Sequence, residues 1–388
     1  MKIQSITPVR LDLPARASPT PPRRPSYNQS ARRAFPINKY PEFPRQLRKI
    51  PGEVAQEMWV KVTAEDGTWG LGVCHWGNLV EPLIREHYEP LLVGRDALAT
   101  EFLADLMWRS TQRFGATGLA SVARSAIDLA LWDLKGKLLK VPVYSLLGGP
   151  CREHIDCYAT SDDLDWSMEL GFRSFKVSNP VHYEEGTEGL NRLEEKIAKA
   201  RETVGRDADL MFNPVMSFSV DFAARLMERL KPYHLRWIEE PLMPHDTDGL
   251  AALKRAVPTL PIATGEDHKG RHAMRELVDR RCVDVLQPEL RWLGGLTEAL
   301  KVYTYAEGAG LMTIPHSGAG LPFGQHFHYA LPEASLAEYW LGSDPGIPLA
   351  EAQKLPGVAV PVNGRVKPSD APGFGIELKE SELVPWRA

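Results

Sequence analysis

The chain has few of the features that mark several large classes of protein. Its four cysteines, Cys74, Cys151, Cys157 and Cys282, lack zinc-like spacing, so we expect buried free thiols in a reducing cytosol, with a Cys151–Cys157 disulfide as the alternative. No apolar run is long enough to span a bilayer. The opening MKIQSITPVRLDLP has no apolar signal core, which predicts a cytoplasmic protein with no membrane partner.

Charge and glycine patterns exclude two further classes. The formal net charge of −4 gives no basic face for a nucleic-acid partner. No glycine-rich phosphate fingerprint follows the first strand of the alternating region, which weakens a dinucleotide-binding fold. The 43% apolar and 25% charged residues are ordinary for a globular protein. At 388 residues the chain can hold a barrel and a smaller domain.

Residues 1–150 read as an α+β domain. A strand covers about 1–13, and residues 57–74 predict a hairpin with its turn at Asp66-Gly67. The segment of about 14–51 is rich in proline and arginine and is too long for an ordinary connection, which indicates a lid loop. Helical patterns follow at about 80–95, 99–113 and 117–140.

From residue 154 short apolar runs alternate with helical stretches. The eight runs are IDCYAT, RSFKVS, DLMFNP, LRWIEEP, PIATGE, VDVLQPE, GLMTIPH and LAEYW. This alternation predicts a (β/α) barrel over residues 151–340, with an open doubly wound sheet as the alternative. Residues 341–388 lose the alternation, and we expect them to return to the first domain.

Polar residues recur at the C-terminal ends of these runs. They are Asn213, Glu239, Glu266, Glu289, His316 and Glu338. Side chains at the strand ends of a barrel converge at its mouth. Oxygen ligands followed by a histidine suggest a divalent metal with an acid–base group beside it.

Several motifs, in this order and spacing, resemble the enolase superfamily and its mandelate-racemase subgroup. They are SAIDLALWDLKGKLLKVPVYSLLGG, WIEEP, TGE, LQPE and IPH. GFRSFKVSNPVHYEEGTEGL, MFNPVMS and the tail PVPVNGRV…DAPGFGIEL are closest to the L-rhamnonate dehydratases of that subgroup. The resemblance covers nearly the whole chain. It implies a modified TIM-type barrel under an N-terminal α+β capping domain, with Mg²⁺ at the barrel mouth.

The resemblance also implies the chemistry. Family members abstract the proton α to a carboxylate, and the superfamily uses a Lys or His base with Mg²⁺. Glu239 and Glu266 match two of the metal ligands, and His316 matches the acid–base histidine. A divalent cation on the carboxylate would offset the second negative charge that proton removal creates. Glu240 follows Glu239 on the opposite side of the strand, so we expect it to be structural.

Two positions depart from the family pattern. Asn213 stands where the family has an Asp as its first metal ligand, and an amide oxygen brings no charge. Glu289 stands where the family has the Asp that orients the histidine, and its extra methylene moves the carboxylate. Either an active enzyme with a weaker metal site or a homologue without catalysis fits these departures.

Four further residues have expected roles. Lys176 is expected to face the substrate carboxylate as a fixed positive charge, because Ser178 replaces the second lysine of the racemase Lys-x-Lys pair. Glu338 is expected to donate a hydrogen bond as a neutral acid, which requires a raised pKa. His268 could meet a substrate hydroxyl or cap a helix, and Arg45 is similar to a lid arginine that binds substrate. In the helix motif, Trp132 and Asp133 are expected in the core and on the helix surface.

The leading hypothesis is a Mg²⁺-dependent sugar acid dehydratase that yields a 2-keto-3-deoxy acid. A catalytically silent binding protein is the second hypothesis, motivated by Asn213 and Glu289. An epimerase or cycloisomerase of the same superfamily is the third, and it is less favoured because those enzymes usually use barrel lysines. The resemblance also implies a homo-oligomer of unspecified size.

Overall fold

The structure is a computed structural model that describes residues 1–14, 18–30, 33–40, 42–43 and 57–387. An antiparallel sheet lies near the N-terminus, with strand order β13-β1-β2-β3. Its strands are β1 (Ile3–Leu11), β2 (Met58–Ala64), β3 (Trp69–Cys74) and β13 (Leu383–Pro385). Strands β2 and β3 form the predicted hairpin, and Gly67 occupies the turn with φ of +83°. Only a residue without Cβ adopts that conformation at little cost.

This part of the chain also contains several helices, and the longest of them packs against the sheet. They are α1 (Tyr27–Ser30), α2 (Gly77–Pro82), α3 (Glu89–Leu92), α4 (Thr100–Ser110), α5 (Leu119–Leu139) and α6 (Val143–Leu146), with a π-helical turn at Leu83–Tyr88. Helix α5 approaches β3 so closely that a Cβ on Gly72 would lie 2.0 Å from the Ala126 carbonyl oxygen. The small residues of α5 and the glycines of β3 therefore permit direct backbone contact.

Eight parallel strands follow, and each coincides with one of the predicted runs. They are β4 (Ile155–Thr160), β5 (Ser174–Ser178), β6 (Asp209–Asn213), β7 (Trp237–Glu239), β8 (Ile262–Thr264), β9 (Val285–Leu286), β10 (Met312–Thr313) and β11 (Leu336–Trp340). The strand order β10-β9-β8-β7-β6-β5-β4-β11 follows the chain except that β11 pairs with β4. That order is the order of a barrel cut open between β10 and β11.

Side chains from almost all of these strands meet in one interior cluster. Its buried members are Tyr158, Met211, Trp237, Ala263, Val285, Ile314 and Leu336. Backbone hydrogen bonds from Thr313 N to Glu333 O (3.2 Å) and from Ala319 N to Glu338 O (2.7 Å) join the two edges. A filled interior and bridged edges distinguish a barrel from an open sheet. The predicted barrel is confirmed, and the doubly wound alternative is wrong.

Helices cover the outside of the barrel. They are α7 (Leu164–Glu169), α8 (Gly186–Val204), α9 (Val220–Leu230), α10 (Thr247–Ala256), α11 (Arg271–Asp279), α12 (Leu296–Gly308) and α13 (Pro322–Ala330). Alternate residues of each strand face these helices or the interior, so Ile238 joins the outer core while Glu239 faces inward. The first connection is short, because α7 spans only 6 residues.

The C-terminal segment contains α14 (Leu349–Ala352), β12 (Arg365–Val366) on β4, and β13 on β1. It also meets α5, where Asp133 accepts hydrogen bonds from the backbone N–H groups of Phe374 (2.8 Å) and Leu71 (2.9 Å). Asp133 is fully buried, so its expected place on the helix surface is wrong. A buried carboxylate at this position accepts from two backbone N–H groups that would otherwise lack partners in the interior.

The cysteines are free, with Cys74, Cys157 and Cys282 buried and Cys151 exposed. The Cys151–Cys157 disulfide alternative is therefore wrong, and so is the expected burial of Cys151. Among the described residues, none of the helices is long and apolar enough to cross a membrane.

Candidate active site at the barrel mouth

A cavity of about 170 Å³ opens at the C-terminal ends of the barrel strands. Five of the predicted site residues line it: Lys176, Asn213, Glu266, His316 and Glu338. They come from β5, β6 and β11 and from the loops after β8 and β10. The ends of parallel strands meet at one edge, which is why residues so far apart in sequence share one cavity.

Glu239 lies at the end of β7 and is 2% exposed. Its Oε1 accepts hydrogen bonds from Lys176 Nζ and from Asn213 Nδ2 (2.7 Å). Its Oε2 accepts from Gln287 Nε2 (2.7 Å) and from Trp237 Nε1 (3.2 Å). Four donors therefore surround this buried carboxylate, which needs such partners once it is removed from water.

The orientation of the Asn213 amide bears on whether this site fits a divalent cation. The Oδ1 atom accepts from the Val215 N–H (2.7 Å), so Nδ2 points at Glu239. No group of three or more His, Cys, Asp or Glu side chains within the described part of the chain is arranged to hold a metal ion. Glu239, Glu266 and the amide oxygen are ligand types that suit Mg²⁺. The set fits the cation if the amide turns, and turning costs the bond to Val215.

Lys176 is 2% exposed and lies between two carboxylates. Its Nζ contacts Glu239 Oε1 and is 2.8 Å from Glu338 Oε1. Burial alone would lower the Lys176 pKa, but the charges of Glu239 and Glu338 outweigh it and raise the pKa well above its usual value. Lys176 is therefore a permanent cation at the cavity wall, not a base.

Glu338 differs from its expected neutral state. Burial alone would raise its pKa, but the positive charges of Lys176 and His316 lower it to about 2. Its Oε1 also accepts from Thr160 Oγ1 and its Oε2 from the Ser317 N–H (2.8 Å). The expected raised pKa is wrong, because the sequence does not show that Lys176 lies beside this acid.

His316 lies among three carboxylates. Its Nδ1 is 2.7 Å from Glu289 Oε2, and its Nε2 is 3.5 Å from Glu266 Oε2 and 3.9 Å from Glu338 Oε2. Burial alone would lower the His316 pKa, but the charges of Glu266 and Glu338 and the hydrogen bond to Glu289 raise it to about 10. An ionised carboxylate only accepts, so Nδ1 carries a hydrogen and Nε2 is the atom that faces the cavity.

Glu289 is 2% exposed and, beside His316, contacts Arg291. The Arg291 guanidinium donates through Nε (2.8 Å) and one terminal nitrogen (2.6 Å) to the two carboxylate oxygens. Burial alone would raise the Glu289 pKa, but Arg291 and His316 hold it well below its usual value. The longer side chain therefore still reaches the histidine, despite the departure noted in the sequence.

Glu266 and Glu240 lie close to His316, and the pKa of each is raised. Burial raises the pKa of Glu266 to about 7, with the nearby charge of His316 opposing the rise. Burial and the negative charge of Glu266 raise the pKa of Glu240 well above its usual value. Glu240 is 2% exposed and has a left-handed backbone with φ of 46°. The structural role expected of Glu240 stays a prediction.

The two expected substrate contacts have different outcomes. Arg45 lies outside the described residues. His268 is 5% exposed and is not among the described residues that line the cavity. Burial lowers the His268 pKa to about 4. Helix α11 begins at Arg271 with Gly270 as its N-cap, so the expectation that His268 caps the next helix is wrong. The contact of His268 with a substrate hydroxyl stays a prediction.

Part of the N-terminal segment covers the cavity. Asn28, Arg33 and Phe35 line it, opposite the strand ends. Asn28 Nδ2 donates to Ser161 Oγ and to the Leu341 carbonyl, both at 3.0 Å. Nearby, the buried carboxylate of Asp163 accepts from the Ser26 hydroxyl and from the Tyr27 N–H (3.0 Å). These contacts hold polar side chains of the segment over the barrel mouth.

The capping sheet reaches the surroundings of His316 through Trp292. The Trp292 ring packs beside His316, with ring centroids 6.0 Å apart. Its Nε1 donates to His75 Nδ1 (3.0 Å) at the end of β3. Burial and the charge of Arg291 lower the His75 pKa to about 4, so its ring is neutral and Nδ1 can accept.

Sequence reasoning missed several of these residues. Gln287, Arg291, Trp292, Thr160 and Asn28 contact the site but received no role. Arg291 and Trp292 follow the run VDVLQPE after one residue. The i, i+2 spacing of Glu289 and Arg291 was the available signal for an ion pair. The others contact the site only through the tertiary fold.

Two family models match the chain. Residues 162–382 match "Enolase C-terminal domain-like", and residues 42–148 match "Mandelate racemase / muconate lactonizing enzyme, N-terminal domain". An L-rhamnonate dehydratase of Saccharopolyspora erythraea is 36% identical over 355 residues, which cover 90% of each chain.

Solved structures agree with this match. The rhamnonate dehydratase of Gibberella zeae complexed with Mg is 31% identical, has a TM-score of 0.90, and covers 100% of this chain and 98% of its own. The 3,6-anhydro-D-galactonate cycloisomerase of Zobellia galactanivorans is 25% identical, with a TM-score of 0.78 and coverage of 99% and 100%. Together with the geometry of the barrel mouth, these matches show that the chain belongs to the enolase superfamily, in its mandelate racemase and muconate lactonizing enzyme family.

Proposed function

We propose that this protein is a hydro-lyase that dehydrates a sugar acid to a 2-keto-3-deoxy acid, with Mg²⁺ as cofactor. The observation that carries the proposal is His316, whose Nε2 faces a small cavity between Glu266 and Glu338 while Glu289 holds Nδ1. The relatives named rhamnonate dehydratase support the reaction class. The same relatives make L-rhamnonate the first acid to test.

In this proposal His316 moves the proton. His316 acts in its neutral form, which is favoured once the negative charge of Glu266, the main cause of its raised pKa, is offset by the cation that Glu266 would hold. Nε2 then takes the proton from C2, the carbon next to the substrate carboxylate, and the electron pair of the broken C–H bond forms the enediolate. The C3–O bond then breaks, and the same nitrogen returns the proton to the leaving hydroxyl, which departs as water. The remaining enol becomes the 2-keto acid. One histidine serves both steps when the proton and the hydroxyl lie on one face of the substrate.

Lys176 and Glu338 also line the cavity. The Lys176 ammonium is held between Glu239 and Glu338, so its position is fixed before substrate arrives. A fixed cation in a site sheltered from water stabilises negative charge that develops on the substrate carboxylate. Glu338, ionised and bonded to Thr160 and Ser317, keeps Lys176 in place instead of donating a proton.

Asn213, Glu239 and Glu266 would hold the Mg²⁺. When bound, the metal would supply positive charge that offsets the second negative charge of the enediolate. Glu239 already faces Asn213 at 2.7 Å, so the two side chains are close enough to share one cation. Residues Asn28 and Arg33 then face the part of the cavity where the substrate hydroxyls would lie.

The second candidate function is a catalytically silent, ligand-binding member of the family. The observation that favours it is the Asn213 amide, which presents Nδ2 and not an oxygen to Glu239. That contact satisfies the carboxylate without a metal ion. A chain of this kind would bind sugar acids and leave them unchanged.

A keto-acid assay separates the two candidates. Wild type is incubated with excess Mg²⁺ and a panel of acid sugars that includes L-rhamnonate, and 2-keto acid is trapped with semicarbazide. We expect one acid to be turned over, and we expect His316→Asn to lose at least about 100-fold in kcat, the usual scale of acid–base catalysis. Full activity in His316→Asn would refute its role. Binding of an acid by calorimetry with no product would favour the silent homologue.

A further inference from the structure

Arg291 and Glu289 form a buried ion pair behind the catalytic histidine. Three N–H groups of Arg291 reach the carboxylate: the backbone N and Nε contact Oε1 at 3.0 and 2.8 Å, and one terminal nitrogen contacts Oε2 at 2.6 Å. Arg291 is 7% exposed and Glu289 is 2% exposed. Because His316 Nδ1 contacts Oε2 as well, this oxygen is shared between the guanidinium and the imidazole.

The backbone around this pair is already fixed. The Glu289 carbonyl accepts from the N–H groups of Trp292 (3.0 Å) and Leu293 (2.8 Å), which closes a tight turn. The Ser121 hydroxyl of α5 donates to the Trp292 carbonyl (2.7 Å) and ties the turn to the capping domain. The remaining freedom is in the glutamate side chain, which has three rotatable bonds. A planar guanidinium that donates two parallel bonds removes that freedom by fixing the carboxylate plane.

Arg291 does not face the substrate. It is absent from the described residues that line the cavity, and its guanidinium carbon lies 5.9 Å from the Trp292 ring centroid. Any effect of Arg291 on the reaction must therefore act through Glu289 and then His316.

We propose that Arg291 is a positioning residue that holds the Glu289 carboxylate in the orientation in which Oε2 meets His316 Nδ1. The inference rests on the proposed function, in which His316 Nε2 exchanges a proton with substrate. Without the two side-chain bonds, Glu289 is a buried carboxylate with one side-chain partner, and it rotates toward other donors. The imidazole then loses the contact that fixes its ring and directs Nε2 at the cavity.

The kinetic test compares Arg291→Met with Arg291→Lys. We expect Arg291→Met to lower kcat by about 10- to 100-fold, the usual effect of residues behind a catalytic group, and to leave KM within about twofold. Arg291→Lys is expected to be faster than Arg291→Met, because lysine keeps the positive charge but cannot donate the two parallel hydrogen bonds of the guanidinium. The matched control is Arg201→Met, which removes a guanidinium that donates four hydrogen bonds to backbone carbonyls outside α8, those of Gly205, Ala208, Tyr233 and His234. The control is expected to lose stability and keep kcat.

A spectroscopic test does not need turnover. With ¹⁵N-labelled histidine, the His316 ring signals are assigned by their loss in His316→Asn. We expect wild type to show a protonated, hydrogen-bonded Nδ1, and both Arg291 variants to shift or broaden that signal while the other histidines keep theirs. Arg201→Met should leave all ring signals in place.

The outcomes are separable. Unchanged kcat and unchanged His316 signals in the Arg291 variants would overturn the inference and leave Arg291 a structural residue. If wild type turns over none of the acids, the proposed function fails, and the His316 signals alone decide whether Arg291 positions the ring. If Arg291→Met does not fold, Arg291→Lys gives the same decision.

Discussion

At the scale of single residues, the orientation of the Asn213 amide determines whether Glu239 faces an N–H group or an oxygen. Nδ2 lies 2.7 Å from Glu239 Oε1, and Oδ1 is held by the Val215 N–H. An N–H group stabilises the neighbouring carboxylate through a hydrogen bond. An oxygen at the same place would repel Glu239 unless a cation lay between them. The amide therefore favours the site without metal and weakens its affinity for a cation.

Asn213→Asp is expected to raise Mg²⁺ affinity by about tenfold or more, equal to about 1.4 kcal/mol or more. The Val215 N–H would continue to hold one oxygen, and the other would replace Nδ2 as a charged ligand facing Glu239. The same repulsion should lower the melting temperature of the metal-free variant, and Mg²⁺ should restore it. Calorimetric titration with Mg²⁺ gives the affinity, and thermal unfolding with and without Mg²⁺ gives the second effect.

Asn191→Asp is the matched control, because it adds the same charge on exposed α8, away from the cavity. Its Mg²⁺ affinity should equal that of wild type. An affinity for Asn213→Asp that does not exceed the control would show that Asn213 is not beside the cation.

The sequence predicts some of these residues better than others. Asn213, Glu266, His316 and Glu338 could be predicted because each ends or follows an apolar run, and strand ends converge in a barrel. The charge state of Glu338 could not, because it depends on Lys176 from a strand elsewhere in the chain. The four donors around Glu239 and the burial of His268 depend on side-chain directions that only the folded barrel determines.

At the scale of elements, the start of α12 in the barrel packs directly against α5 of the capping domain. Asp128 of α5 accepts from the Thr297 N–H (2.9 Å) and from the Thr297 hydroxyl (2.6 Å). Gly295 precedes the helix with φ of +89°, and a Cβ there would lie 2.3 Å from Asp128 Oδ2. Gly294 and Gly295 both have positive φ, and glycine is favoured at 295 by this close approach as well as by the left-handed backbone.

Gly295→Ala is expected to destabilise the protein by about 2–4 kcal/mol, because strain at a left-handed residue adds to a clash with a buried side chain. Gly308 at the other end of α12 is the matched control, since a Cβ there meets nothing within 4 Å. Gly308→Ala should be neutral or stabilising by up to about 1 kcal/mol. Urea denaturation of the two variants measures both values, and equal stabilities would contradict the packing described for α12.

At the scale of the whole molecule, the capping domain is joined to the barrel at several points. His75 reaches Trp292 beside His316, Ser121 holds the Trp292 carbonyl, and Asp128 binds the start of α12. The barrel itself could be predicted from eight alternating runs. These junctions could not, because they join residues more than 160 positions apart through one or two hydrogen bonds each. The capping domain therefore determines the shape of the loop that carries Glu289.

Asp128 should make the stability of the whole protein depend on pH. Burial, with the charge of Glu298 adding to it and the bonds from Thr297 opposing it, raises the Asp128 pKa from 3.8 to about 7. Between those values the folded protein keeps the proton while the unfolded chain releases it. The contribution is therefore fully present below about pH 4 and is lost as the pH rises through 7. The full loss is at most about 4 kcal/mol.

Asp128→Asn removes this titration and keeps an amide oxygen for the Thr297 N–H. Its free energy of unfolding relative to wild type is expected to increase by about 2–3 kcal/mol between pH 5 and pH 8. Chemical denaturation of both proteins at several pH values measures the difference. Gly308→Ala has no titratable group at the changed position, so its difference from wild type should stay constant over the same range. A constant difference for Asp128→Asn would show that Asp128 is ionised throughout, and that the junction of α5 with α12 holds a charge and not a neutral acid.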